Sequence, residues 1–232
     1  MILVVATDIN DLFNTLQLTY TNVTPVYNLR YGTAYTVTIN NQEVMFLNSG
    51  ITKVNLSTVL TNIINNYDIT NIITYGNIAC LNKCIRTGDI VIGTSALQYD
   101  VNFSYLNYEE AFIPDVNMKT FNFDNDLITK ASQIVPLLNL NYYTGVIGSA
   151  DIFLASNSIS CELINTLKID YVDTESGTIG ELSYIYSIPS IVIKGISNYA
   201  DNCAEYDYKL NKQIASSNAF NVVKNLLNSL TL

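Results

Sequence analysis

Short runs of β-branched and aliphatic residues recur along the chain at Ile2 to Val5, Tyr35 to Ile39, Val44 to Leu47, Ile69 to Thr74, Asp89 to Ile92, Gly145 to Ile147 and Ile191 to Ile193. Each predicts a strand, and the continuous apolar runs suit strands covered on both faces. Between them, Val54 to Ile64, Leu127 to Val135 and Thr178 to Tyr186 carry apolar residues at helical spacing. Ala219, Val222, Val223, Leu226 and Leu230 form a further apolar stripe that predicts a core-facing C-terminal helix. Tyr35 to Leu47 predicts a hairpin turning at Asn40-Asn41, so the sheet is expected to be mixed. The alternation of strands and helices predicts an α/β sandwich. The segment from Asp100 to Phe123 lacks a clear period and is expected to be a binding loop or a surface connection with some edge strand.

No repeat, charge block or Pro/Gly/Ser-rich linker divides the 232 residues, so one domain, 1–232, is expected. Hydrophobic residues make up 49% of the chain, enough for a large core, which excludes intrinsic disorder. The net charge of -9 makes nucleic acid and anionic membrane poor partners. The absence of His excludes Ser-His and Cys-His pairs and every His-based metal site. Carboxylates must carry most acid-base work. Cys80, Cys84, Cys161 and Cys203 are scattered without zinc-site spacing, and reduced structural thiols are expected. With no signal peptide or membrane span in the pattern, a cytoplasmic location is expected.

At the predicted strand ends stand Ser49-Gly50-Ile51-Thr52-Lys53-Val54, Thr87-Gly88-Asp89-Ile90-Val91, Val172-Asp173-Thr174-Glu175 and the run from Ile188 to Asp201. These segments resemble the 5′-methylthioadenosine/S-adenosylhomocysteine nucleosidases, a branch of the purine nucleoside and uridine phosphorylase superfamily. The first is similar to that family's S-G-I-G-K-V and the second to its V-G-D-I-V. Val172-Asp173-Thr174-Glu175 is similar to V-E-M-E. The run from Ile188 to Asp201 is similar to V-P-F-V-V-V-R-A-I-S-D-x-A-D. Tyr75-Gly76-Asn77-Ile78-Ala79-Cys80 stands where the family has T-G-S-A-G-G, and Ser149-Ala150-Asp151-Ile152-Phe153-Leu154 where it has S-G-D-A-F-I.

The resemblance implies a three-layer α/β/α fold around a mixed sheet and hydrolysis of a purine nucleoside, by a homodimer that needs no cofactor and no metal. It implies that Asp11 positions water, Glu175 holds the ribose hydroxyls and Asn198 stands where the family has its general acid. Ile51, Asn77, Ile78, Phe153, Leu154, Asp173, Thr174, Ser197 and Tyr208 are implied to line the substrate site, with Phe153 and Tyr208 against the base. Leu106 and Pro114 are implied to enter the neighbouring subunit's pocket.

The residue chemistry bears on these roles directly. Glycosidic cleavage builds positive charge on the sugar and negative charge on the base, so an anion such as Glu175 suits the ribose side. The alternative for Glu175 is a first-turn acid of a following helix, and for Asp8 or Asp11 a helix N-cap or first-turn acid. An amide at Asn198 donates a hydrogen bond but releases no proton, which leaves open a ligand-trapping substitution, an inactive nucleoside-binding relative or a changed purine preference. A turn residue ending the strand is the remaining alternative there. With Arg30 and Arg86 the only arginines, water is expected as nucleophile, with phosphorolysis by a purine nucleoside phosphorylase as the alternative.

Overall fold

The computed structural model describes residues 1–6, 12–26, 29 and 31–231. Among these residues ten strands build one sheet: β1 (Ile2–Ala6), β2 (Thr24–Val26), β3 (Thr33–Ile39), β4 (Gln42–Asn48), β5 (Asn71–Cys80), β6 (Ile90–Gln98), β7 (Phe121–Asn122), β8 (Tyr142–Ser149), β9 (Tyr171–Asp173) and β10 (Ser190–Tyr199). The α-helices are α1 (Leu12–Gln17), α2 (Lys53–Asn66), α3 (Asn125–Leu137), α4 (Asn157–Leu167), α5 (Ser176–Tyr186) and α6 (Ala204–Leu230). The strand order is β10-β6-β8-β9-β5-β1-β4-β3-β2, and β10 also pairs with β5. Strands β10, β6, β8, β9 and β5 therefore close on themselves, and the rest of the sheet extends from β5. Parallel and antiparallel neighbours coexist, giving the mixed sheet.

Side chains alternate between the two faces of the central strands, so each face needs its own helical cover. Val4, Ile73, Ile191 and Ile193 pack with Leu127, Ala131, Val222 and Leu226 of α3 and α6. Leu3, Val5, Ile72 and Val192 pack with Leu56, Val59, Leu60 and Ile63 of α2 and Ile179 of α5. A third cluster joins Leu163 and Leu167 of α4 to Leu97, Leu154 and Val172. The result is the three-layer α/β/α architecture expected.

The seven expected strands and four expected helices all form. The hairpin turns at Asn40 and Asn41, with φ of 47° and 66°, the double positive-φ geometry whose twist suits a two-residue connection. The segment after Asp100 is largely irregular, with a 3₁₀ turn at Ser104–Leu106 and the short edge strand β7. Strands β5 and β10 run well beyond their apolar stretches, to Cys80 and Tyr199. Their added length carries polar residues inward, for a reason the site makes clear. Of the cysteines, all four are free thiols, but only Cys80 is buried, with its pKa pushed up to about 11 by burial. The structural role expected for the thiols therefore fits Cys80 alone, since Cys84, Cys161 and Cys203 reach solvent.

Helix α6 lies directly on β10 at Gly195. A Cβ built there would sit 2.0 Å from the Ala215 carbonyl oxygen, and backbone cannot yield as a flexible side chain can. Gly195→Ala is expected to destabilise the protein by about 3 kcal/mol, the upper end of ordinary overpacking costs, as read from the urea unfolding midpoint.

Candidate active site

One cavity of about 240 Å³ opens where the turns after β4 and β8, the far part of β5, the β9–α5 junction and the end of β10 converge. Ile51, Asn77, Ile78, Phe153, Leu154, Asp173, Thr174, Glu175, Ser197, Asn198 and Tyr208 all line it. Eleven of the residues expected at a substrate site are thus brought together from six separate stretches of chain. Leu106 and Pro114 lie outside this cavity, on the irregular segment, where Leu106 is exposed. Asp11 lies outside the described residues.

Glu175 is 4% exposed and precedes α5, where its side chain makes no capping bond. Its Oε1 instead accepts from Lys194 Nζ, an ammonium with no exposure at all, on β10. Its Oε2 accepts from Thr174 Oγ1 at 2.7 Å and from the Thr174 N–H at 3.2 Å. The first-turn alternative for Glu175 is therefore not how the carboxylate is used. Gly76, paired with Lys194 across β5 and β10, has φ of 150°, a backbone conformation that residues with a side chain rarely adopt.

Asp173 supplies the local framework. Its Oδ1 accepts from Ser149 Oγ at 2.6 Å, from the Ser176 N–H at 3.0 Å and from the Glu175 N–H at 3.2 Å. Its Oδ2 accepts from Ser176 Oγ and stands 3.7 Å from Lys194 Nζ. These bonds tie the start of α5 to β8 and orient Glu175 beside them. Burial, and then repulsion from Glu175, push the Asp173 carboxyl above its ordinary pKa, against the opposing pull of Lys194.

Asn198 is 2% exposed and follows a register shift in the β10–β5 ladder, where Ile196 pairs with Ile78 and Asn198 with Ala79. The extra residue, Ser197, lets two successive polar residues line the same cavity, a use of bulges common beside functional sites. Ser197 Oγ donates to Asn198 Oδ1 at 2.7 Å, and Asn198 Nδ2 donates to the Tyr199 carbonyl at 3.2 Å. These two bonds fix which end of the amide is donor and which acceptor. A turn-ending role for Asn198 does not fit, because the residue is inside the strand. Asn77 lines the cavity, and its Oδ1 is buried without a hydrogen-bond partner among the described residues. Phe153 and Tyr208 meet edge to face, 5.5 Å between centroids, forming an aromatic wall.

Thr52, Ala79, Asp151, Ile152 and Val172 also line the cavity but were not singled out from the sequence. Each lies inside or beside a recognised motif, so proximity in sequence was the available signal. No Arg or Lys lines the cavity among the described residues, and none of their His, Cys, Asp and Glu side chains form a group able to hold a metal ion.

The family model for the Phosphorylase superfamily matches residues 1–228. A 5′-methylthioadenosine/S-adenosylhomocysteine nucleosidase from Buchnera aphidicola subsp. Schizaphis graminum is 31% identical over 85% of this chain and 84% of its own. The chain belongs to this nucleosidase family of the phosphorylase superfamily. The fold agrees with solved structures. The Neisseria meningitidis 5′-methylthioadenosine/S-adenosylhomocysteine nucleosidase in complex with methylthio-immucillin-A superposes with a TM-score of 0.91 at 24% identity, covering 98% of both chains. Futalosine hydrolase of Helicobacter pylori superposes with a TM-score of 0.93 at 19% identity, covering 98% of this chain and 97% of that one.

In this nucleosidase-family chain, Lys194→Met is expected to cost about 3–5 kcal/mol, because two buried carboxylates lose their shared cation. Urea unfolding measures the loss. The raised pKa of Asp173 has a signed consequence for stability against pH. Its contribution is complete below the ordinary carboxylate range and is lost as pH rises through the raised value. Asp173→Asn is expected to remove that part of the downward slope in Tm with rising pH, leaving a flatter profile across the same window.

Proposed function

We propose that the chain hydrolyses the N-glycosidic bond of purine nucleosides of the methylthioadenosine and S-adenosylhomocysteine class. The observation that carries this reading is the Glu175 carboxylate, buried in the cavity wall and held in place by Lys194 and Thr174. An ionised carboxylate accepts hydrogen bonds from ribose hydroxyls and stabilises oxocarbenium charge as the base departs. With the sugar at Glu175, the base lies toward Asn198, Phe153 and Tyr208, whose rings offer it an aromatic surface.

In the reaction, a water oxygen bonds to C1′ while the C1′–N9 pair of electrons leaves with the base. The water gives up one proton, and the base gains one. Asp11 is the candidate base toward water, by resemblance. Asn198 donates a hydrogen bond to a ring nitrogen of the purine without releasing a proton, so the base takes its proton from another source and turnover is slow. The cavity's lack of cationic residues among those described supports water over phosphate as nucleophile.

The working unit in this reading is a homodimer. Phe103, Tyr105, Leu106 and Tyr108 are exposed together on the irregular segment, and Ile51, which lines the cavity, is exposed as well. Leu106 and Pro114 then reach the neighbouring subunit's cavity. A second reading, a nucleoside-binding relative without efficient catalysis, is favoured specifically by the amide at Asn198.

Free base released from methylthioadenosine, adenosine and inosine, with and without phosphate, distinguishes these readings. Asn198→Asp is expected to raise the hydrolysis rate on the order of 10² to 10⁴-fold, the usual worth of a placed general acid. Glu175→Gln is expected to reduce it by a similar factor. Phosphate-dependent release rejects hydrolysis, and an unchanged rate in Asn198→Asp with nucleoside still bound favours the binding-only reading.

A further inference from the structure

Thr52 has φ 89° and ψ 146°, a backbone conformation that glycine adopts freely and a β-branched residue rarely does. The branched side chain contributes little to folding in exchange. Its Oγ1 caps α2 by accepting the Asn55 N–H at 3.5 Å, a long hydrogen bond. Replacing a threonine cap by glycine ordinarily costs only a small part of what such backbone strain costs. For stability alone, glycine is the better residue at this position.

The place of Thr52 explains what the side chain does. It is exposed at the cavity's mouth, with Ile51, Ile152 and Phe153 each about half exposed around it. The turn is pinned against the opposite rim, since the Lys53 N–H donates to Asp151 Oδ1 at 2.9 Å and Lys53 Nζ pairs with Asp100 at 2.7 Å. It follows β4, and β1 and β5 intervene before β10, which carries Asn198. Thr52 and Asn198 thus belong to walls of the cavity that are three strand steps apart in the sheet. A nucleoside with its base toward Asn198 and its hydroxyls on Glu175 directs C5′ toward the mouth.

We propose that Thr52 is a specificity-determining residue whose bulk narrows the exit for the 5′ substituent, favouring short 5′ groups over long ones. This rests on the placement of the sugar at Glu175 argued above. Calorimetric titration of adenosine, methylthioadenosine and S-adenosylhomocysteine into the wild-type chain, Thr52→Gly and Thr52→Val tests it, alongside base-release rates. The wild type is expected to bind methylthioadenosine more tightly than S-adenosylhomocysteine. Thr52→Gly is expected to reduce that discrimination by about tenfold, within the range that small changes in pocket volume produce, with Tm no lower than wild type. Thr52→Val, which keeps the bulk and loses the hydroxyl, is expected to retain the wild-type ratio. An unchanged ratio in Thr52→Gly, a fall in its Tm, or a Thr52→Val ratio shifted like that of Thr52→Gly overturns the proposal. If none of the three nucleosides binds the wild type, the nucleosidase reading itself fails, whereas binding with unaltered discrimination removes only the role of Thr52.

Discussion

A fully buried ammonium cannot stand in a protein interior without anions against it, and Lys194 meets that constraint with Glu175 and Asp173. The cluster lies where β10 closes onto β5, so the closed part of the sheet and the chemistry of the cavity depend on one contact. Neither carboxylate is held by the lysine alone. Asp173 is braced by Ser149 and Ser176, and Glu175 by Thr174. The polar atoms are satisfied from several elements at once, which holds the Glu175 carboxylate still while leaving it at the cavity wall. A rigid anion of this kind acts without first having to reorganise.

Asn198 is set with the same economy of motion. Ser197 and the Tyr199 carbonyl fix its amide in one orientation, so its donor is available to a ligand in a fixed position. What the residue lacks is a transferable proton. The site therefore combines a well-supported charge beside the sugar with a weak group beside the base, and the imbalance is chemical rather than geometric.

Much of the architecture was legible because central strands buried on both faces read as unbroken apolar runs, and α2, α3, α5 and the end of α6 keep one buried stripe each. The ends of β5 and β10 were not legible for the opposite reason. Lys194, Ser197 and Asn198 interrupt the apolar pattern because they serve the cavity, yet they remain in the strand and buried. β9 is only three residues long, too short to show alternation. In α4, exposed Ile159 and Ile164 blur the stripe made by Leu163 and Leu167. The first half of α6 carries exposed Tyr206, Leu210 and Ile214, so only its second half could be recognised. Most lining residues were visible through motif resemblance, whereas the ion cluster joins Lys194 to acids about twenty positions away, and no local pattern records such a pairing.

The single unmatched residue at Ser197 has a consequence for how this segment can vary. Ser197 has no partner on β5, so its removal would leave Asn198 opposite Ala79 in a regular ladder while taking away the hydroxyl that holds the Asn198 carbonyl oxygen. Substitutions along this stretch change the chemistry offered to a ligand. Loss of Ser197 would instead release the Asn198 amide to turn over, exchanging the donor and the acceptor it presents.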